Sequence, residues 1–202
     1  MSPTTASSGD RQRRPRADGL QNRERLIAVA AATFSRDGAQ VSLKSIAHQA
    51  GVGIGTLYRH FPTREALVDA VYRAETDRLC AAAPELLTRM GPVEALRAWG
   101  LRFLDYLNTK EGMAQVLHSI LTDHEDLKLQ TRTRIAAATR QLLLAGQQAG
   151  ELRADLDPAD VSLALAGFAL ILERRPDAPD EANRLLDLLL QGIGVPQVAG
   201  GR

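Results

Sequence analysis

Residues Ser42–Phe61, SLKSIAHQAGVGIGTLYRHF, decide the fold of this chain, because their spacing predicts two short helices joined by a tight turn. Ser42 is a favourable N-cap, since its hydroxyl can accept a hydrogen bond from an unpaired amide of the first turn. Apolar residues then recur at helical spacing up to Gly51, which stands where helices commonly end in a left-handed residue. Leu57 lies on the apolar side of the second helix, and the small Ala47 lets the two helices cross closely, as a helix-turn-helix requires.

The outer face of the second helix carries four side chains that donate hydrogen bonds: Thr56, Tyr58, Arg59 and His60. Such donors suit phosphates and base edges, and none of the four is a carboxylate. The alternative is an ordinary helical hairpin inside a core. A core hairpin has no need for Tyr, Arg and His together on one exposed turn, so the pattern favours a nucleic-acid-binding motif.

The stretch closely resembles the DNA-binding domain of the TetR (tetracycline repressor) family. The matching residues are Ser42, Ile46-Ala47, Ala50-Gly51-Val52 and Gly55-Thr56-Leu57-Tyr58-Arg59-His60-Phe61. The close match covers about residues 22–71, and a looser one covers the rest through WGLRFLDYL, TKEGMAQVL and LRADLDPADV. The resemblance implies a homodimeric, ligand-responsive repressor that binds a palindromic double-stranded DNA operator.

The resemblance also assigns roles to individual residues. It makes Tyr58 and His60 phosphate contacts, and it places Thr56 and Arg59 near the bases or their flanking phosphates. The other DNA-binding residues that it implies flank this turn: Ser42, Leu43, Lys44, Gly53, Ile54 and Arg64.

Three of these positions depart from common family patterns. Gly53 stands where many members have a capping Ser, and Ile54 stands where many have a polar base-reading residue. Leu43 occupies a position where some members carry a base-reading Arg. Ile54 could instead contact a thymine methyl group, which is an apolar form of base readout. We therefore expect sparse polar readout, with Arg59 as its main contributor.

Composition predicts an all-α protein. The chain has 202 residues, of which 45% are hydrophobic and 4% aromatic, and Ala and Leu are abundant. We expect about nine helices from the apolar spacing. The single cysteine, Cys80, cannot form an intramolecular disulfide, which fits a reducing cytoplasm. No apolar run reaches the about 18 residues of a membrane span, and the N-terminus lacks an apolar signal core, so we expect no membrane partner.

Charge divides the chain into a basic and an acidic part. Residues 1–65 hold ten Arg and Lys against five Asp and Glu, whereas residues 66–202 hold fifteen against nineteen. The basic part contains the helix-turn-helix, as expected of a nucleic-acid-binding domain joined to a second domain. We predict a disordered basic arm (1–19), a helix-turn-helix domain (20–66), a helical effector-binding and dimerisation domain (67–195) and a disordered tail (196–202). The arm either reaches across DNA or is simply a solvated terminus.

The helices of the second domain follow from apolar spacing and capping residues. One helix should run from Thr63 to about residue 83, where Pro84 ends or kinks it. Another begins at Gly91-Pro92 and should end at a polar break over residues 108–110. Further helices are predicted at about residues 111–122, 125–149, from 158 onwards and 179–192.

A small molecule would bind in a mostly apolar pocket between the body helices. The candidate effector-binding residues are Trp99, Phe103, Tyr106, Met113, Leu117, His118 and Phe168. The alternative for each is that it simply fills the core. His118 could offer one hydrogen bond from within an apolar run.

The last predicted helix carries six large aliphatic residues between 185 and 193, more than one helical stripe holds. Such a helix must bury apolar residues on more than one side, either in a core or against a partner chain, and the resemblance favours a partner chain. It implies a homodimer through the last two helices, about residues 158–193, whose two-fold symmetry matches a palindromic operator.

Catalytic and metal sites are not predicted. The four histidines form no ligand pair at helical spacing, and HExxH, CxxC and glycine-rich phosphate loops are absent from the sequence. We therefore predict no catalytic residue, metal or cofactor. Cys80 is a possible redox sensor, although nothing in the local sequence indicates a lowered pKa. The alternative function is an all-α dimeric ligand-binding protein or enzyme with a vestigial DNA-binding head, which Gly53 and Ile54 keep open.

Overall fold

The computed structural model describes residues 13–173 and 180–195, and within them the protein is all-α, as predicted. Nine α-helices and one 3-10 helix (Gly38–Gln40) occupy the described residues. The α-helices are α1 (Arg13–Asp37), α2 (Leu43–Gln49), α3 (Ile54–His60), α4 (Arg64–Leu87), α5 (Pro92–Glu111), α6 (Ala114–Asp123), α7 (Glu125–Gln148), α8 (Pro158–Glu173) and α9 (Glu181–Ile193).

The first helix begins within the segment predicted to be a disordered arm. It starts at Arg13, so the expected disordered arm through residue 19 is wrong for residues 13–19, while residues 1–12 lie outside the described residues. The physical reason is that Arg, Ala, Leu and Gln are good helix formers, and that Pro15 lies in the first turn, where its missing N–H has no intrahelical partner. The predicted tail, 196–202, also lies outside the described residues.

Pro84 does not end α4, and the predicted end of α5 is wrong. Helix α4 continues through Pro84 to Leu87, because Ala82, Ala83 and Leu86 are buried and their packing offsets the lost hydrogen bond. Helix α5 continues through the polar residues 108–110 to Glu111, and the break falls between α5 and α6 at residues 112–113. Helix α4 also crosses the predicted domain boundary at residues 66–67 without interruption.

The core of the N-terminal head forms between α1, α2 and α3. Large side chains from all three elements and from the connection that follows are almost fully buried there: Leu26, Phe34, Ile46, Leu57 and Phe61. Arg23 lies over this core, with its guanidinium carbon 5.3 Å from the centroid of the Phe61 ring. The head is therefore a packed three-helix unit rather than a hairpin lying on the body.

The body is built around α4, α5 and α7, which pack on one another, while α8 and α9 pack on α5. Trp99 is the largest fully buried side chain. Its indole N–H donates to the Leu79 carbonyl at 3.0 Å, and its ring stacks on Phe103 at 5.3 Å between centroids. This contact joins α4 and α5 with no indole donor left unsatisfied.

Head and body meet where the end of α1 contacts the junction of α5 and α6. The Asn108 amide donates to the Ser35 hydroxyl at 2.7 Å. At Gly112 the two backbones are so close that a Cβ atom would lie 2.6 Å from the carbonyl carbon of Phe34. The head is thus attached to the body by this contact as well as by the continuous helix α4.

Candidate nucleic-acid interface

The turn between α2 and α3 has the predicted geometry. Ser42 caps α2, with its hydroxyl accepting a hydrogen bond from the Ser45 amide at 3.1 Å. Gly51 has φ +66°, the left-handed conformation that favours glycine, and its amide donates to the His48 carbonyl at 3.0 Å. Gly53 occupies the N-cap position of α3 and has no side chain to accept a hydrogen bond there. The predicted loss of a side-chain cap is therefore confirmed.

Helix α3 is held against the head by one buried residue, Leu57, and by Phe61 directly after its end. Its other side chains are wholly or partly accessible. Ile54, Tyr58 and Arg59 are exposed, and Thr56 and His60 are half-buried. A helix attached along one narrow side presents the rest of its surface outwards, which is how a recognition helix reaches a groove of DNA.

The surface around α3 has the electrostatic character that phosphates require. No Asp or Glu occurs in residues 38–64. Lys44 lies in the first turn of α2, where it is exposed, and Tyr58 is 49% exposed on α3. Within the described part of the chain, no hydrogen bond or ion pair engages the side chain of Lys44, Tyr58 or Arg59. Their donors are therefore available to phosphate oxygens and base edges.

Two of the predicted DNA-binding residues have structural contacts of their own. The Arg64 guanidinium donates to the Val41 carbonyl at 2.6 Å and lies 5.5 Å from the centroid of the Phe34 ring. It thereby ties the start of α4 to α1 and to the residues before α2. Leu43 is half-buried and packs against the core of the head. DNA contact by either residue stays a prediction, as it does for the other eight.

Most of the predicted effector-binding residues lie in the packed interior of the body. Trp99, Phe103, Tyr106, Met113 and Leu117 are buried, and Phe168 is half-buried on α8. Phe103 and Tyr106 stack at 6.2 Å, which extends the row of rings that begins at Trp99. Burial raises the pKa of the Tyr106 phenol, so that this group is a neutral hydroxyl, 3.5 Å from the Thr76 hydroxyl. These residues fill the core in this structure, and their part in ligand binding stays a prediction.

His118 is exposed rather than enclosed in an apolar run, because it lies on the outer side of α6. It lines a groove of about 290 Å³ between the end of α5, α6 and the start of α7, which we call the α5–α7 groove. The apolar part of the groove is Ala114, Leu117 and Leu121, and its polar part is Lys110, Glu111, His118, Thr122, Glu125 and Lys128. Lys110 and Lys128 were not among the residues predicted for an effector site. Their rarity was the available signal, since the chain has only one other lysine.

Cys80 is half-buried on α4. Burial raises the pKa of its thiol, so the neutral thiol predominates at neutral pH and the reactive thiolate is scarce.

Among the described residues, no three His, Cys, Asp or Glu side chains come together as metal ligands, and no helix combines the length and apolarity that crossing a bilayer requires.

The packed head, with its exposed helix α3 that carries no carboxylate, and the helical body that follows are the features of a helix-turn-helix DNA-binding regulator. Comparison with known proteins supports this class. Residues 26–71 match the bacterial regulatory proteins of the TetR family, and residues 91–195 match the C-terminal domain of SbtR-like transcriptional regulators.

Relatives cover nearly the whole chain. The TetR regulator SCO0520 from Streptomyces coelicolor is 46% identical, with a TM-score of 0.78, and covers 85% of this chain and 98% of its own. A TetR regulator from Mycobacterium vanbaalenii is 33% identical, with a TM-score of 0.72 and coverage of 89% and 99%. The transcriptional repressor KstR2 of Rhodococcus jostii is 26% identical over 187 residues, which are 86% of this chain and 92% of KstR2. The chain belongs to the TetR family of transcriptional regulators, and it is a DNA-binding protein.

Proposed function

We propose that the protein is a cytoplasmic, effector-responsive repressor that binds a palindromic operator as a homodimer. The exposed α3, with its unpaired donors at Tyr58 and Arg59 and no carboxylate nearby, carries this proposal. In the proposed complex the two α3 helices enter successive major grooves, and residues 13–66 form the DNA-binding head. KstR2 is named as a repressor, which supports repression rather than activation for this protein.

Uncovered apolar surface on α8 and α9 supports the homodimer. Leu163, Leu170 and Leu188 are 73%, 66% and 64% exposed, and Ile171 is also exposed. On α8 the residues 163, 170 and 171 share one face, because they are seven and eight positions apart. Exposed large apolar side chains on two helices that pack together are typical of an interaction surface. We propose that the same face of a second copy covers it, with two helices from each chain.

An effector would act by shifting the dimer toward a state whose heads no longer match the half-site spacing. By linkage, operator binding must then weaken effector binding by the same factor. The α5–α7 groove is the proposed entry point, because it is the accessible place where two predicted effector-binding residues, Leu117 and His118, lie together. It adjoins the head through the contact of Gly112 with α1.

Footprinting on the DNA upstream of the protein's own gene tests operator binding. We expect a protected palindrome that disappears in a Tyr58→Ala, Arg59→Ala variant, and an Arg102→Ala variant serves as the control because it removes an exposed charge from α5 in the body. The logarithm of the association constant should fall linearly with the logarithm of the salt concentration, with a slope of about −0.9 for each phosphate neutralised. Equal protection by all three proteins would refute the assignment of α3 as the recognition helix.

Sedimentation velocity tests the dimer. We expect the wild type to sediment at twice the mass of the chain, and Leu188→Glu to sediment as a monomer, because the substitution places a carboxylate in the proposed interface. Leu129→Glu is the matched control, since Leu129 on α7 has the same 64% exposure but lies outside the α8–α9 face. A Leu188→Glu dimer as stable as that of the wild type would show that the interface lies elsewhere.

A further inference from the structure

Lysine is rare in this protein and is concentrated at one place. Of the 25 basic Lys and Arg residues only three are Lys, and two of them, Lys110 and Lys128, line the α5–α7 groove. The third, Lys44, is in the head. All six ion pairs of the described residues use arginine instead. The groove lysines therefore take no part in the ion pairs that join the described residues.

Neither groove lysine is paired. Within the described ranges, no carboxylate oxygen lies within 4.0 Å of either ammonium group, and neither group donates a hydrogen bond to a protein atom. Lys110 is half-buried, and burial, followed by the nearby Arg132, lowers its pKa. A partly desolvated cation that lies near two others, Arg132 and Lys128, is stabilised when an anion binds beside it.

Two carboxylates, Glu111 and Glu125, also line the groove, but both are exposed, so water and salt screen them. Lys110 and Lys128 are half-buried, so their charges are screened less, and the exposed Arg132 contributes charge of the same sign. The net charge that neighbouring residues present to Lys110 is therefore positive.

Apolar surface lies directly beside these cations. Leu117 is buried at the base of the groove, and Ala114 and Leu121 are half-buried. The volume of about 290 Å³ is close to the lower end of ligand sites, about 300 Å³, which indicates a small ligand. His118 and Thr122 add hydrogen-bonding groups at the same rim.

We propose that the α5–α7 groove binds a small amphipathic anion, with its carboxylate or phosphate group between Lys110 and Lys128 and its apolar chain on Leu117 and Leu121. This inference names the ligand class for the effector site proposed above and rests on that proposal only for its regulatory consequence. Binding would supply the two charge-assisted hydrogen bonds that the lysines lack.

Trace acetylation of the full-length protein, followed by mass spectrometry, tests the site directly. The probes are octanoate, octyl phosphate and the uncharged 1-octanol. Because only free protein reacts, octanoate at ten times its Kd should slow acetylation of Lys110 and Lys128 about tenfold. Lys44 is the internal control and should react at an unchanged rate. Protection by octyl phosphate alone would assign the site to phosphates, and protection by 1-octanol, or no difference between the three lysines, would overturn the proposal.

Variants provide an independent readout. Lys110→Met and Lys128→Met should each weaken octanoate binding about tenfold or more in calorimetry, since each removes a hydrogen bond between charged groups. Arg140→Met removes an exposed charge from α7 outside the groove and should leave binding unchanged. Lys110→Met should remain folded because it replaces a partly desolvated charge by an apolar chain. Unchanged octanoate affinity in both lysine variants would contradict the inference.

Operator binding, measured by fluorescence anisotropy, separates this inference from the proposed function. Lysine protection without release of DNA would support the anion site and contradict its proposed role in regulation. Release of DNA by octanoate without lysine protection would support an effector response and overturn this site. Weaker operator binding by the lysine variants in the absence of any probe would mean that the lysines contact DNA phosphates, and it would also overturn the site.

Discussion

Replacing Gly112 by Ala tests the contact between head and body. The backbone of Gly112 is in the right-handed helical region, with φ −57° and ψ −15°, so alanine causes no conformational strain there. The new Cβ would collide with the carbonyl oxygen of Phe34 and would lie 2.6 Å from its carbonyl carbon, and both are backbone atoms that no side-chain rotation can move. Ordinary carbon contacts are at least about 3.5 Å, so α1 and the α5–α6 junction must separate by about 1 Å.

The expected cost follows from three terms. Overpacking of this kind costs about 1–3 kcal/mol. A separation of about 1 Å also breaks the hydrogen bond between Asn108 and Ser35, now 2.7 Å long, which adds about 1 kcal/mol. Alanine also lowers the conformational entropy of the unfolded chain, which stabilises the folded state by about 0.4–1 kcal/mol. We therefore expect a loss of about 2 kcal/mol and a Tm about 4–8 °C lower for a chain of this size.

Thermal unfolding followed by circular dichroism measures this effect. Gly19→Ala is the matched control, because Gly19 is also helical, within α1 and away from the proposed dimer face, but a Cβ there would meet no atom within 4 Å. Helix propensity predicts that the control is stabilised by up to about 1 kcal/mol. If Gly112→Ala unfolds at the same temperature as the wild type, or at a higher one, the head does not pack on the body as closely as described.

Two further predictions concern single side chains. Gly53→Ser should stabilise the protein by about 0.5–1 kcal/mol, because the backbone angles φ −68° and ψ 148° suit a serine N-cap and its Cβ would meet no atom within 4 Å. Calorimetry would detect this as a small rise in Tm. Affinity for octanoate should fall as the pH rises through the pKa of Lys110, at a pH below the usual 10.5, because the anion binds the protonated amine and burial lowers that pKa. Calorimetry of Lys110→Met should show no such fall in the same pH interval, and an unchanged fall would assign the titration to another group. The charged and titratable groups that face Lys110 are Glu111, His118, Glu125, Lys128 and Arg132.

Local sequence predicted the helix-turn-helix because each of its features depends on neighbouring residues. Ser42 caps the helix that follows it, and Gly51 takes the left-handed conformation that ends that helix. Proline at the first helical position likewise placed the start of α5 at Pro92 and that of α8 at Pro158. Local rules were wrong at Pro84 and at residues 108–110, where burial of other residues on the same helix outweighs the local signal.

The sequence by itself determined the fold class, the positions of α2 and α3 and the absence of a side-chain cap at Gly53, since these follow from propensity, periodicity and residue type. Only the tertiary structure decided that Arg64 binds the Val41 carbonyl, that Gly112 lies against Phe34 and that Lys110 and Lys128 share one groove. These pairs are between 18 and 78 positions apart in the chain, so no local pattern records them. They exist because burial of the core fixes how α1, α4, α5 and α7 pack, and this packing brings distant residues together.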